Sequence, residues 1–225
     1  FALESALLDL LSERCEPWEL LGLAGPPVVQ AVPRAQLLTE PEMDARVAEG
    51  ASALRSGVEV LKIKLGLAEF SDELAGLRIL RDELGDDFGL RLDVNQGWTE
   101  GQVVERLAAL STLHVELVEE PTPWRSLAAL GSSPVPLALD ESLQDPEVMG
   151  ALPALAGDGL VSAVVLKPTV LGGLARCLSI ASSAQGLGLG VVASHCFEGP
   201  VAYASTARLA RLLPEPWPCG LAPHG

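Results

Sequence analysis

Lysine is almost missing from this chain: of its fifteen basic residues only Lys62, Lys64 and Lys167 are lysines, and the rest are arginines. Positive charge of either kind is scarce, because the 225 residues carry a formal net charge of −15. Such a chain offers no clustered Lys and Arg to nucleic acid or an anionic membrane surface, so neither is expected as a partner. Long apolar runs are absent, which excludes a bilayer-spanning helix, and the first residues lack the basic start, apolar stretch and cleavage site of a secretory leader. Cys15, Cys177, Cys196 and Cys219 are scattered without a CxxC pair. Disulfide scaffolds are therefore not indicated, and reduced thiols in a cytoplasm are expected. A glycine-rich phosphate turn after the first β-rich run is missing too, with Pro33-Arg34-Ala35 in its place, which argues against an open dinucleotide-binding sheet.

What is present is a 48% hydrophobic chain, long enough to bury one large core. Residues 1–13 (FALESALLDLLSE) have helical spacing, and Gly25-Pro26-Pro27 closes the region that follows. Residues 1–25 are thus expected to form a linking helix and 26–225 an α/β barrel. β-rich runs recur at 28–32, 58–66, 90–95, 115–121, 135–141, 162–168 and 190–195, with an eighth near Gly220-Leu221. Helical patterns at 69–85, 100–111, 144–156, 173–185 and 199–213 lie between them. This alternation implies a parallel sheet, and so many units favour closure into a TIM-type (β/α)7β barrel.

Residues i and i+2 of a strand share a face, so Lys62 and Lys64 point one way while Leu61, Ile63 and Leu65 point the other. In a barrel both amines face inward, where mutual repulsion is expected to lower the pKa and make a base. Arginine serves any surface role, so lysine kept inside apolar runs suits an amine that must lose a proton; a GC-rich genome that favours arginine is the bland alternative. The next strands end in acids: Asp93, then Glu119 or Glu120, then Asp140 or Glu141. One acid after a strand is ordinarily a helix N-cap. Three on successive strands, after a lysine pair, converge at the C-terminal mouth where barrel sites form. Hard oxygens so arranged suit Mg2+, with Mn2+ as an alternative. Lys167 closes the set, and Lys64, Asp93, Glu119, Asp140, Lys167 and Ser194 lie roughly 21 to 29 residues apart, about one βα unit each. Two amines and a divalent cation suit removal of a proton α to a carboxylate. Arg91 shares the inward face of Asp93 and is read either as a carboxylate contact or as half of a structural ion pair; Trp98 is expected to pack.

The ordered runs LKIKLG, RLDVNQGWT, VEEPTP, ALDESL and VVLKPTVLGG resemble the muconate-lactonizing subgroup of the enolase superfamily, and most closely the o-succinylbenzoate synthase family. The likeness extends over about residues 1 to 213 and implies the enolase-type barrel. It implies that Lys64 is the acid/base with Lys62 in support, that Asp93, Glu119 and Asp140 bind the metal, and that Lys167 stabilises the enolate from across the site. Asn95 matches the subgroup's DxN asparagine, and Ser194 is the expected substrate contact. The implied reaction is syn-dehydration of a small carboxylate, the cyclohexadiene intermediate of menaquinone biosynthesis, to o-succinylbenzoate. N-acylamino-acid racemase and dipeptide epimerase, which use the same two lysines from opposite faces, and muconate cycloisomerase are the alternatives, and a catalytically silent interaction module is an alternative of another class. Relatives carry an N-terminal capping domain, which this sequence is expected largely to lack, and Gly220-Leu221-Ala222 suggests a shortened C-terminus. His195 is expected to be structural or substrate-lining, because Lys167 stands where a histidine-based relative has an aspartate.

Overall fold

The computed structural model describes residues 1–12, 16–23 and 31–222. Seven strands alternate with helices: β1 (Ala35–Leu37), β2 (Val60–Lys64), β3 (Gly89–Asp93), β4 (Val115–Glu119), β5 (Leu137–Leu139), β6 (Val161–Leu166) and β7 (Gly190–Ala193). The helices are α1 (Ala2–Leu11), α2 (Pro17–Leu20), α3 (Met43–Arg55), α4 (Phe70–Leu84), α5 (Glu100–Leu110), α6 (Trp124–Ala128), α7 (Val148–Gly157), α8 (Pro168–Leu171), α9 (Leu174–Gly186) and α10 (Pro200–Leu212).

All adjacent strands pair in parallel in the order β1 to β7. The expected eighth strand is reduced to two bridges that join the ends of the sheet, Ser194 with Gly220 and Arg34 with Cys219. Gly220 N–H donates to Ala193 O at 2.9 Å on one side, and Ala35 N–H to Cys219 O at 2.9 Å on the other. The sheet is thereby closed into the barrel that the βα alternation implies.

Period-two alternation sorts the side chains into two apolar layers. Leu61, Ile63, Leu65, Leu90 and Leu92 are buried against the surrounding helices. Leu117, Ala138, Ala163, Val165 and Val192 fill the barrel interior together with Trp217. Gly190 is where the indole of Trp217 lies against β7, and a Cβ there would collide with the ring. Trp98 is 2% exposed and meets Phe70 edge-on, with centroids 5.6 Å apart, so it packs as expected.

The first strand corrects the expectation at 28–32. Residues 28–30 lie outside the described residues, Ala31 and Val32 are not strand, and β1 starts at Ala35. Proline has no N–H to give a ladder; Pro33 contributes only its carbonyl, to Cys219 N–H at 2.8 Å, and Ala35 is the residue that donates. Gly25-Pro26-Pro27 and Cys15 also lie outside the described residues. Helix α3 was not foreseen, because small and polar residues dominate MDARVAEGASALR and blur its period. Its buried Gly50 allows a close approach to Leu84 and Leu61.

Helix α1 docks by polar contacts that no local pattern announces. The Phe1 main-chain nitrogen donates to Gly172 O at 2.9 Å, and the Glu4 carboxylate accepts from Leu174 N–H at 2.5 Å and Ala175 N–H at 2.9 Å. Glu4 thus acts as the N-cap of α9, satisfying donors that open every helix and placing negative charge at its positive end. Gly173, at φ 140°, leaves the space that the carboxylate fills. Among the described residues no helix is long and apolar enough to cross a membrane.

Candidate active site

Strand register puts the polar groups at one mouth. Lys62 pairs with Arg91, Lys64 with Asp93, and Asp93 with Glu119 along β2, β3 and β4, so inward positions near the C-terminal strand ends stack side by side. Lys62 Nζ reaches Asp93 Oδ2 at 2.8 Å and the two Glu119 oxygens at 2.9 and 2.8 Å. Asp140, beyond the end of β5, receives the ammonium of Lys167, which follows the end of β6. Three carboxylates and two ammonium groups therefore form one row, in which the acids are nearly buried, Asp93 at 2%, Glu119 at 4% and Asp140 at 4% exposure.

The expectation of a lowered amine pKa is overturned at Lys62. Burial pulls its ammonium down, but Glu119 and Asp93 outweigh that and hold it above its ordinary value. Lys167 is raised in the same way, burial being overcome by Asp140 and Glu119. The acids divide. Burial pushes Glu119 up, yet Lys62 and Lys167 bring it below the usual carboxylate range. Asp93 and Asp140 end above that range, lifted by burial and then by the negative charge of Glu119.

Lys64 lies one pleat nearer the solvent and is exposed. Its Nζ donates to Asn95 Oδ1 at 2.9 Å, and Asn95 Nδ2 donates to Glu141 Oε1 at 2.9 Å. The doublets left open by the sequence are thereby resolved. Glu119 and Asp140 face the row, while Glu120 and Glu141 turn elsewhere. Glu120, at φ 46°, is fully buried. Its carboxylate accepts from Asp140 N–H at 2.5 Å, Ser142 N–H at 3.1 Å, Gln96 Nε2 at 3.2 Å and the Ser142 hydroxyl. It ties the β3, β4 and β5 ends into one unit, a role the EEP doublet hints at only by repeating an acid.

A cavity of about 550 Å³ opens above the row, with Lys62, Lys64, Asp93, Lys167 and Ser194 in its wall. Lys64 and Lys167 thus share one space. Gln36, Thr39 and Glu49 line the β1 side; they are absent from the expected site because β1 begins later than its β-rich run and α3 has no clear period in the sequence. Ser194 lies under Gly220, where a Cβ would collide with its hydroxyl. His195 also lines the cavity, but its Nε2 lies 3.2 Å from Ala222 O and its Nδ1 accepts Phe197 N–H at 3.0 Å, so the ring is held by main chain. Arg91 lies toward the other end of the barrel, donating to Glu116 and to Pro218 O, which settles its reading as a structural ion pair.

Among the described residues no three His, Cys, Asp or Glu side chains are gathered as a metal cage as they stand; the Lys62 ammonium bridges Asp93 and Glu119, and Lys167 holds Asp140. The donor set nevertheless fits a hard divalent cation. It consists of carboxylate oxygens from three successive strand ends, two of them held above their ordinary pKa by burial and then by the like charge of Glu119, which such a cation would offset.

Comparisons with known proteins agree with this geometry. A family model described as Enolase C-terminal domain-like matches residues 45–220. An o-succinylbenzoate synthase of Aliivibrio fischeri (strain ATCC 700601 / ES114) is 35% identical over 161 residues, 69% of this chain and 48% of that protein. A chloromuconate cycloisomerase of Cupriavidus necator is 32% identical over 165 residues, 71% of this chain and 44% of its own. The chain thus spans about half the length of the curated relatives it matches. Among solved structures, muconate lactonizing enzyme from Pseudomonas putida superposes with a TM-score of 0.84 at 28% identity, covering 97% of this chain and 62% of that one. Muconate cycloisomerase from Pseudomonas fluorescens gives 0.85 at 29% identity, covering 97% and 61%.

Proposed function

The chain belongs to the enolase C-terminal domain-like family, and from that premise we propose that it is the barrel of an o-succinylbenzoate synthase-like dehydratase of menaquinone biosynthesis. The observation that carries this reading is the pair Lys64 and Lys167 in one cavity wall above Asp93, Glu119 and Asp140.

In this reading Lys64, the exposed amine, removes the proton α to the substrate carboxylate, and its ammonium then assists departure of hydroxide from the same face. One amine serves both steps because proton and hydroxide leave on one side. Lys167 stabilises the enediolate charge from across the cavity. Asp93, Glu119 and Asp140 would hold magnesium, or manganese in its place, which supplies fixed positive charge to the substrate carboxylate when bound. Lys62 stays protonated between Asp93 and Glu119, keeping the two acids placed while limiting their repulsion. Ser194 contributes a hydroxyl to the cavity wall. The setting is a reducing cytoplasm, in keeping with the free thiols of Cys177, Cys196 and Cys219, and the substrate is a small carboxylate.

A cycloisomerase is the second reading, favoured by the Cupriavidus relative and by the solved structures. Supplying the protein with Mg2+ and the cyclohexadiene substrate separates the two. The dehydratase reading expects growth of aromatic absorbance. Lactone formation from a muconate with no aromatic product would overturn it, and α-proton exchange from N-acylated amino acids or dipeptides in D₂O would point to a racemase or epimerase. Absence of both Mg2+ binding and turnover would leave an interaction module.

A further inference from the structure

Two rows of polar groups cross the mouth, one pleat apart. The lower row is the ion cluster of Lys62, Asp93, Glu119, Asp140 and Lys167; the upper is Lys64, Asn95 and Glu141. Both upper bonds are 2.9 Å long. The main chain fixes the amide between them, since Asn95 is left-handed at φ 48° and its N–H bonds to Asp93 Oδ1 at 3.2 Å. The other Glu141 oxygen, Oε2, is buried without a hydrogen-bond partner among the described residues, so Glu141 is committed to Asn95 through Oε1.

We infer that Glu141 locks the Asn95 amide with its oxygen toward Lys64, and that this pair is the positioning device that aims the Lys64 lone pair into the cavity. The inference rests on the reading of Lys64 as the base. A neutral amine keeps two N–H bonds and one lone pair. Giving one N–H to Asn95 Oδ1 restricts rotation about Cε–Nζ and leaves the lone pair for the substrate. A flipped amide would present its NH₂ to Lys64 and consume that lone pair as an acceptor. It would also set Asn95 Oδ1 against Glu141 Oε1, two acceptors with no proton between them. An ionised carboxylate only accepts, so Glu141 permits one orientation; an amide at that position permits both.

The scarcity of lysine makes the test direct, because 15N-lysine labelling of the chain gives only three Nζ signals. Glu141→Gln is isosteric and releases the amide; Asn95→Asp keeps an acceptor but opposes it to Glu141, and aspartate tolerates the left-handed backbone. Each single change should move the Lys64 Nζ signal more than those of Lys62 and Lys167. It should also lower kcat, by about tenfold for Glu141→Gln and more for Asn95→Asp, with KM within about twofold. The double variant N95D/E141Q transposes the charge, so that the new amide at 141 donates to the new carboxylate at 95, which still accepts from Lys64. It should return the signal toward its original position and recover most of kcat over N95D alone. A Lys64 signal that neither single change moves, or a double variant no better than N95D, would overturn the inference. Retention of activity by Lys64→Ala would instead overturn the reading of Lys64 as base, so the two failures are distinct.

Discussion

The two ends of the barrel interior solve the same problem of buried charge in opposite ways. Toward the N-terminal end, Arg91 meets one carboxylate through a fork, Nε to Glu116 Oε2 at 3.1 Å and Nη2 to Oε1 at 3.0 Å, and gives a further N–H to Pro218 O at 2.6 Å. Cation and anion balance there, and the guanidinium lies 6.0 Å from the Trp217 ring. At the C-terminal mouth, three carboxylates share the ammonium groups of Lys62 and Lys167, and Asp93 and Asp140 remain above their ordinary pKa. The difference follows the residue types. Arginine, which holds its proton at any working pH, stands where charge is structural. All three lysines stand at the mouth, in the wall of the cavity. One end is built for rest and the other is held short of it.

The sharpest break in that contrast is at Lys64. Lys64→Ala should lower kcat by roughly 10³-fold or more, within the range of a lost general base, while a Mg2+ titration followed by calorimetry stays near that of the parent. Lys167→Ala should cost about 10²- to 10³-fold in kcat, the scale of a lost charge-stabilising donor, as read from initial rates. At the quiet end the loss moves from rate to stability. Arg91→Ala leaves Glu116 and the Pro218 carbonyl without their partner and should cost about 3 kcal/mol in urea unfolding, with kcat per folded molecule little changed.

The smallest effect carries the opposite sign. Asp93 has its folded pKa raised, by burial and then by Glu119, so its contribution to stability is fully present below the ordinary carboxylate pKa and is lost as pH rises through the folded value. Asp93→Asn removes that loss. In metal-free buffer it should melt a few degrees above the parent at neutral pH, and the gain should vanish below about pH 4, where the aspartate is protonated in both states. Added Mg2+ should reverse the order by stabilising the parent alone. A variant that melts lower than the parent at neutral pH would mean that the mouth, like the other end, is already balanced.

How far the site was legible follows from the range of the forces involved. Lys64, Lys167 and the acid-bearing strand ends were readable because period-two alternation and the βα repeat act locally and leave their mark in spacing, whereas the choice of Glu119 and Asp140 within their doublets came from the family resemblance alone. The pKa of Lys62 was not, since it depends on Glu119, 57 residues away, rather than on the neighbouring Lys64. The β1 boundary moved because a proline carbonyl and Cys219 define it from opposite ends of the chain. Helix α3 hid behind small residues, and the Glu4 cap of α9 spans a separation of 170 residues. The Glu120 hub was visible only as an ambiguous doublet until its left-handed backbone showed which way it turned.

The closure of the barrel by two lone bridges divides the labour between its strands. Strands β2 to β6 are joined by parallel ladders, with register shifts at Leu90/Arg91 and Leu137/Ala138, and carry the ion row at their ends, whereas the seam at Arg34–Cys219 and Ser194–Gly220 runs beside the cavity. Ser194 and Ala222 at the seam, and Gln36 beside it, line the cavity, so replacements there would reshape its wall and leave the ion row in register. The shape of the cavity wall and the placement of the ion row are thus set by separate stretches of chain.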